Sequence, residues 1–187
     1  MSLRRGFKAE AERVGTEIRR ELSLTPTCRL DPLSLAEHLG IPVFRIEDCF
    51  KYSKELTLLK HLLQGEPDSF SAITILDGGR RIIIHNESHA VTRQANDIVH
   101  EIAHCILEHP PSPVADHSGC RCWNRTLEDE ANWLAGTLLV PRQGALALAW
   151  QRLTLAEIAD NFGVSEPLCR WRIHQTGIAR QLHRIAS

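Results

Sequence analysis

The chain has 187 residues, 43% of them apolar and 24% charged, with a formal net charge of -1. This is enough apolar material for a packed core, which excludes wholesale disorder, and the length fits one domain or one domain with a small appendage. The charge balance gives no global attraction to nucleic acid or to an anionic membrane.

The opening Met1-Ser2-Leu3-Arg4-Arg5-Gly6-Phe7-Lys8 has no apolar run behind its charges, so it does not read as a secretory signal. The longest apolar run, near Leu134 to Val140, is far too short to span a bilayer. The six cysteines (Cys28, Cys49, Cys105, Cys120, Cys122 and Cys169) are scattered. They are expected to be free thiols in a reducing cytoplasm.

Phe7, Ala11, Val14, Ile18 and Leu22 fall at helical spacing, and Thr25-Pro26 stops that helix. Asp31 caps a second helix with Pro32 at its first position, and Gly40 ends it. Ile41 to Ile46 predicts a short strand, whereas residues 47–70 are mixed and polar and carry no clear pattern. Ile73 to Leu76 and Ile82 to His85 predict two strands joined through Asp77-Gly78-Gly79, which is hairpin-turn chemistry rather than a phosphate loop. The second of these strands is expected to keep an unpaired edge able to accept an extended peptide. A long helix follows, from about Ala90 to Glu108, stopped by Pro110, Pro111 and Pro113. After a loop over 109–125, another helix is predicted from about Leu127 to Leu139, ending at Pro141. The remainder is helical in pattern, punctuated by Gly163 and Gly177.

The long helix carries His100-Glu101-Ile102-Ala103-His104. Positions i and i+4 project from one helix face a turn apart, so His100 and His104 can present two imidazoles to one ion. Glu101, about 100° around the helix, is no ligand but can reach a water at that ion. This is the zinc-peptidase arrangement, in which the metal polarises the scissile carbonyl and Glu101 acts as general base. Catalytic zinc usually takes three protein ligands, and three acids follow downstream: Glu128, Asp129 and Glu130. Glu128 borders the apolar stripe Leu127, Ala131, Leu134, Ala135 and Leu138 and shares a face with Asn132. It is therefore chosen as the third ligand, with Asn132 bonding a ligand from behind. Glu130 lies about 200° around the helix from Glu128, so both cannot ligate one ion, and acids in a first turn need no role beyond the helix dipole. A three-histidine site is excluded because position 110 is Pro110, and His109 is expected to face solvent at the helix end.

These residues resemble the ImmA/IrrE family of metallo-endopeptidases. The similar stretches are Ile82 to Asn86, Arg93 to His104 and, most specifically, Thr126-Leu127-Glu128-Asp129-Glu130-Ala131-Asn132-Trp133-Leu134-Ala135-Gly136-Thr137-Leu138-Leu139-Val140-Pro141, with Asp31 to Val43 resembling the family's opening. The resemblance implies an α+β, mostly helical, zincin-like core with a small β-sheet, zinc held by His100, His104 and Glu128, and Glu101 as the catalytic base. It also implies a protein substrate, typically a repressor whose cleavage releases transcription. Cys120-Arg121-Cys122 departs from the family pattern.

Thr154 to Ser165, continuing to Arg172, reads as helix, tight turn, helix, with Thr154 and Ser165 as caps and Arg170 and Arg172 on the second helix. The expected organisation is thus a metallopeptidase domain over 1–145 and a helix-turn-helix-like segment over 146–187. An intramolecular or protein-docking helix pair is favoured over DNA binding for that segment because it lacks a dense basic stripe. His117, Cys120 and Cys122 lack the fourth ligand and the spacing of a second metal site. His85 and His117 are the candidates for stabilising an oxyanion. The competing function is a zinc-stabilised helix-turn-helix regulator or protein-binding anti-repressor that does not cut, in which Glu101 would have no task.

Overall fold

The computed structural model describes residues 2–48, 70–110 and 124–178. The sequence readings at Cys49, His117, Cys120 and Cys122, and most of the segment 47–70, lie outside those residues. In chain order the elements are α1 (Phe7–Glu21), α2 (Pro32–His38), β1 (Val43–Arg45), β2 (Ala72–Asp77), β3 (Arg80–His85), α3 (Val91–Ile106), α4 (Arg125–Leu139), α5 (Arg142–Trp150), α6 (Leu155–Phe162) and α7 (Glu166–Gln175). The class is α+β: mostly helical, with one three-stranded sheet.

The two long helices around the histidine motif bury interlocking stripes. On α3, Ala95, Ile98, Val99 and Ile102 recur at i, i+3, i+4 and i+7; on α4 the buried residues include Ala131, Leu134, Ala135 and Leu138. Their apolar faces join one core that also takes in Phe7, Leu35, Ile83 and Phe162. Where α1 crosses α4 the backbones come close: a methyl group on Gly15 would sit 2.9 Å from Thr137 Cγ2.

The sheet corrects one expectation. Its order is β1-β3-β2, so β3 is central, not an edge. Val43 to Arg45 pair with Ile83 to His85 in parallel, and β2 pairs with β3 antiparallel from Ala72↔His85 to Asp77↔Arg80. The Ile82 to His85 strand therefore has neighbours on both sides and cannot accept a peptide. Among the described residues, β1 and β2 are the edge strands. Gly78 and Gly79 turn the hairpin with φ of 54° and 84°, the left-handed backbone that a two-residue connection needs.

The C-terminal helices sit on the core. Thr154 and Glu157 close a capping box on α6, Gly163 ends that helix at φ 66°, and Ser165 caps α7. Arg170 is exposed beside Glu166, but Arg172 is fully buried. The Arg172 Nε donates to the Val140 carbonyl at 3.1 Å and its Nη2 pairs with Glu12 of α1. Of the two cations expected on this helix, only one is therefore available to a partner. Arg19 of α1 is likewise buried and donates to the Leu138 carbonyl at 3.0 Å. Two cations thus meet the last carbonyls of α4, where the helix dipole is negative.

Gly144 in α5 packs so closely on Pro26 that an added methyl would overlap the Pro26 carbonyl oxygen. Helix propensity alone predicts that Gly144→Ala stabilises by about 1 kcal/mol. The overlap reverses that sign: a loss of about 1–3 kcal/mol, or a Tm lower by roughly 3–10 °C, is expected in a thermal melt. An unchanged or raised Tm would contradict this packing.

Candidate metal centre and its relatives

His100 and His104 lie one turn apart on α3, and Glu128 stands in the first turn of α4, which Asn124 caps by accepting from the Thr126 and Leu127 amides. Packing of α3 on α4 brings the three side chains together. His100 Nε2 is 3.1 Å from His104 Nε2 and 3.2 Å from Glu128 Oε2, and His104 Nε2 is 3.6 Å from Glu128 Oε1. Tetrahedral zinc with bonds of about 2.0–2.1 Å has ligand atoms about 3.3 Å apart, so this donor set fits such an ion. Two imidazoles and a carboxylate are also the ligand chemistry of a catalytic zinc site. Among the described residues this is the one group of three His, Cys, Asp or Glu residues placed to hold a metal ion.

The electrostatics are those of a site arranged for a cation. Burial alone would raise the Glu128 pKa, but the hydrogen bonds from His100 and His104 and their charges outweigh it and bring it down to about 2. Burial alone would lower the His100 pKa; the Glu128 hydrogen bond, the Glu101 and Glu128 charges and a bond with Asn132 hold it above its ordinary value. Asn132 thus touches His100, as its i+4 relation to Glu128 suggested.

Glu101, whose charge acts on His100, also reaches the sheet, where the Thr74 hydroxyl of β2 donates to its Oε2 at 2.6 Å. Thr74 carried no signal in the sequence: a threonine in a strand is ordinary, and its reach to α3 depends on the register of the hairpin. His85 is buried at the end of β3, with its charged neighbours Glu87, Arg45 and Asp97; burial lowers its pKa.

His109 is the second correction. It is buried rather than facing solvent, with its Nδ1 3.0 Å from His104 Nδ1. The cause is the way α3 ends. Glu108 takes a left-handed φ of 53°, its amide bonds the Cys105 carbonyl, and the His109 amide reaches back to the His104 carbonyl at 3.0 Å. This is a Schellman ending, which brings the residue after the left-handed one against the side chain one turn back, here His104. Glycine usually marks that ending; Glu108 hid it. Glu130 is the third correction. It is more than a dipole-compensating acid: it is buried, with Oε2 3.7 Å from His109 Nε2 and Oε1 3.3 Å from Arg4 Nε.

The model of the IrrE N-terminal-like domain, a peptidase family, matches residues 36–174. The chain belongs to that family. The match spans both helices of the candidate metal centre, reaches into α7 and agrees with the resemblance drawn from the sequence. It makes the protein a member of a metallopeptidase family, with a peptidase-type function and a protein substrate. No curated protein matches the chain closely enough to be compared with it. Among the described residues, no helix is long and apolar enough to cross a membrane.

A metal ion takes neutral imidazole, so a proton on His100 competes with it. Because the His100 pKa is raised, zinc affinity is expected to begin falling at a pH above 6.5 and then to drop by roughly tenfold per unit. The metal-free protein behaves in the opposite sense. The raised His100 pKa contributes stability that is complete below 6.5 and lost as pH rises through the folded value; the depressed Glu128 pKa contributes stability present above 4.5 and lost toward about 2. Melting curves should therefore show the pair's full effect in metal-free protein between pH 4.5 and 6.5, with the advantage of added zinc growing above that window. A zinc affinity flat from pH 8 to 6 would contradict the protonation scheme.

Proposed function

We propose that the protein is a zinc-dependent endopeptidase whose substrate is a specific repressor or other regulatory protein, cut to relieve transcriptional repression. The observation that carries the reading is Glu101 placed between two potential metal ligands and held by a side chain from the neighbouring strand. A zinc site that only stabilised the fold would have no use for a carboxylate there. In this reading His100, His104 and Glu128 hold the ion, and the surroundings fit zinc rather than a harder cation because two of the three donors are imidazoles. Bound there, zinc would polarise the scissile carbonyl and acidify water.

The remaining steps belong to the chain. Glu101 accepts a proton from the attacking water and delivers it to the departing amine, so one carboxylate serves as base and then as acid. Thr74 keeps that carboxylate from rotating freely, and Asn132 steadies the His100 ring. Thr74 also ties the catalytic helix to β2, which makes β2 the strand for an extended substrate to line up against. Residues 146–187, taken as a C-terminal appendage beginning within α5, serve protein docking rather than DNA binding; burial of Arg172 removes one of the few cations a nucleic acid would need. A cytoplasmic setting suits free thiols such as Cys28, Cys105 and Cys169.

Glu101→Gln preserves shape and removes the base. Zinc content and melting temperature are expected to stay at wild-type values, while cleavage of the repressor substrate falls by a factor of ~10² or more. Intact-mass analysis of the repressor, run beside a de-repression assay in cells, reads both. De-repression by Glu101→Gln with the repressor uncut would replace the enzymatic reading with that of a metal-stabilised anti-repressor. Elemental analysis of Glu128→Ala and Glu130→Ala checks the ligand set: zinc should be lost from the first, and its loss from the second alone would reassign the third ligand.

A further inference from the structure

We propose that His109 and Glu130 form a polar chain that fixes the tautomer and orientation of His104 for metal binding, with Arg4 of the N-terminal arm anchoring its far end. The inference rests on the zinc-site reading above and adds to it a part that the histidine motif does not contain.

The argument begins with which nitrogen of His104 is free. Its Nε2 faces His100 Nε2 and Glu128, the other two donors. Its Nδ1 faces His109 Nδ1 at 3.0 Å. An imidazole that ligates through Nε2 carries its proton on Nδ1 and can only donate there. His109 Nδ1 must then accept, which in a neutral ring leaves the His109 proton on Nε2. That nitrogen points at Glu130 Oε2, 3.7 Å away, where the carboxylate orients the N–H through its charge rather than through a short hydrogen bond. Reversing the order would set two acceptors against each other at one link. A single proton arrangement therefore satisfies the whole chain, and it is the arrangement a metal on His104 Nε2 requires.

Both intermediate groups are shielded from water, with the His109 and Glu130 side chains each 6% exposed. Solvent competes weakly for their polar atoms, so the preference they impose on His104 is strong. Glu130 is held in turn from the N-terminal side. Its Oε1 accepts from the Arg4 backbone amide at 3.3 Å and lies 3.3 Å from Arg4 Nε, while the neighbouring Asp129 accepts from the Ser2 amide. The arm before α1 is thereby fastened to α4 through Asp129 and Glu130, one and two residues beyond Glu128. Polar groups behind a metal-bound histidine typically change metal affinity by about 10- to 100-fold when removed.

The test measures zinc affinity of the full chain by competition with a chromophoric chelator, together with the visible absorption bands of the cobalt-substituted protein. His109→Phe keeps a ring and removes the acceptor; His109→Asn returns an acceptor to the place of Nδ1. Expected for His109→Phe is a loss of zinc affinity of about 10- to 100-fold with altered cobalt bands, and for His109→Asn a return to within about threefold of wild type. If His109→Phe does not fold, Glu130→Gln serves in its place. It should weaken zinc several-fold while the metal-free protein still melts cooperatively. Wild-type affinity and cobalt bands in His109→Phe, or in Glu130→Gln where that variant stands in, would overturn the proposal. Equal losses in His109→Phe and His109→Asn would overturn it too, since packing rather than acceptance would then be the cause. A wild-type protein that binds zinc without using His100, His104 and Glu128 would instead overturn the site reading itself, an outcome the elemental analysis of Glu128→Ala detects separately.

Discussion

Two helices distant in sequence must meet at a fixed height and rotation, or three donor atoms do not converge. The contact between α3 and α4 sets both. Ile98, Ile102, Leu134 and Leu138 are among the buried residues that fill the core between and beneath the helices, and apolar burial supplies the free energy that polar convergence costs. His100, His104 and Glu128 lie at the margin of that packing, each partly exposed. The gradient from sealed core to wet margin gives these three side chains a rigid base.

The far end of α4 is secured differently. Its last carbonyls would be orphaned inside the protein, and they are met by two buried guanidinium groups from opposite ends of the chain, Arg19 and Arg172. Burying a cation is costly, and burial lowers the pKa of both side chains. Arg172 shares its charge with Glu12, while the two terminal nitrogens of Arg19 donate to carbonyl oxygens. These contacts fix where α4 stops, and through the rigidity of the helix they help fix where Glu128 begins.

Much of this was legible in residue order. The 3.6-residue period of α3 and α4, the Gly78-Gly79 turn and the Thr154 and Ser165 caps are local signals, and local signals survive without coordinates. The histidine pair and the choice of Glu128 needed only helix geometry and the side of an apolar stripe. What escaped depended on tertiary or unusual backbone. The central place of β3 follows from pairing with Val43 to Arg45, too short a run to announce a strand order. The burial of His109 follows from Glu108 adopting a conformation that its side chain disfavours. The link between Thr74 and Glu101 joins a strand to a helix 27 positions away, and spacing rules do not reach that far.

Burial of Arg172 also bears on how the chain comes apart. Peeling the last two helices from the core would pull a guanidinium from Val140 and strand Glu12 on α1, so the detachment cannot proceed one weak contact at a time. Units tied by such a half-buried ion pair are expected to open together. Amide hydrogens of α7 and of the α1 segment around Glu12 should therefore exchange on a common slow schedule, although they stand 160 positions apart. The helical tail is in this respect tied to α1 at the opposite end of the chain. A partner gripping it would also be gripping the frame that holds the candidate metal centre.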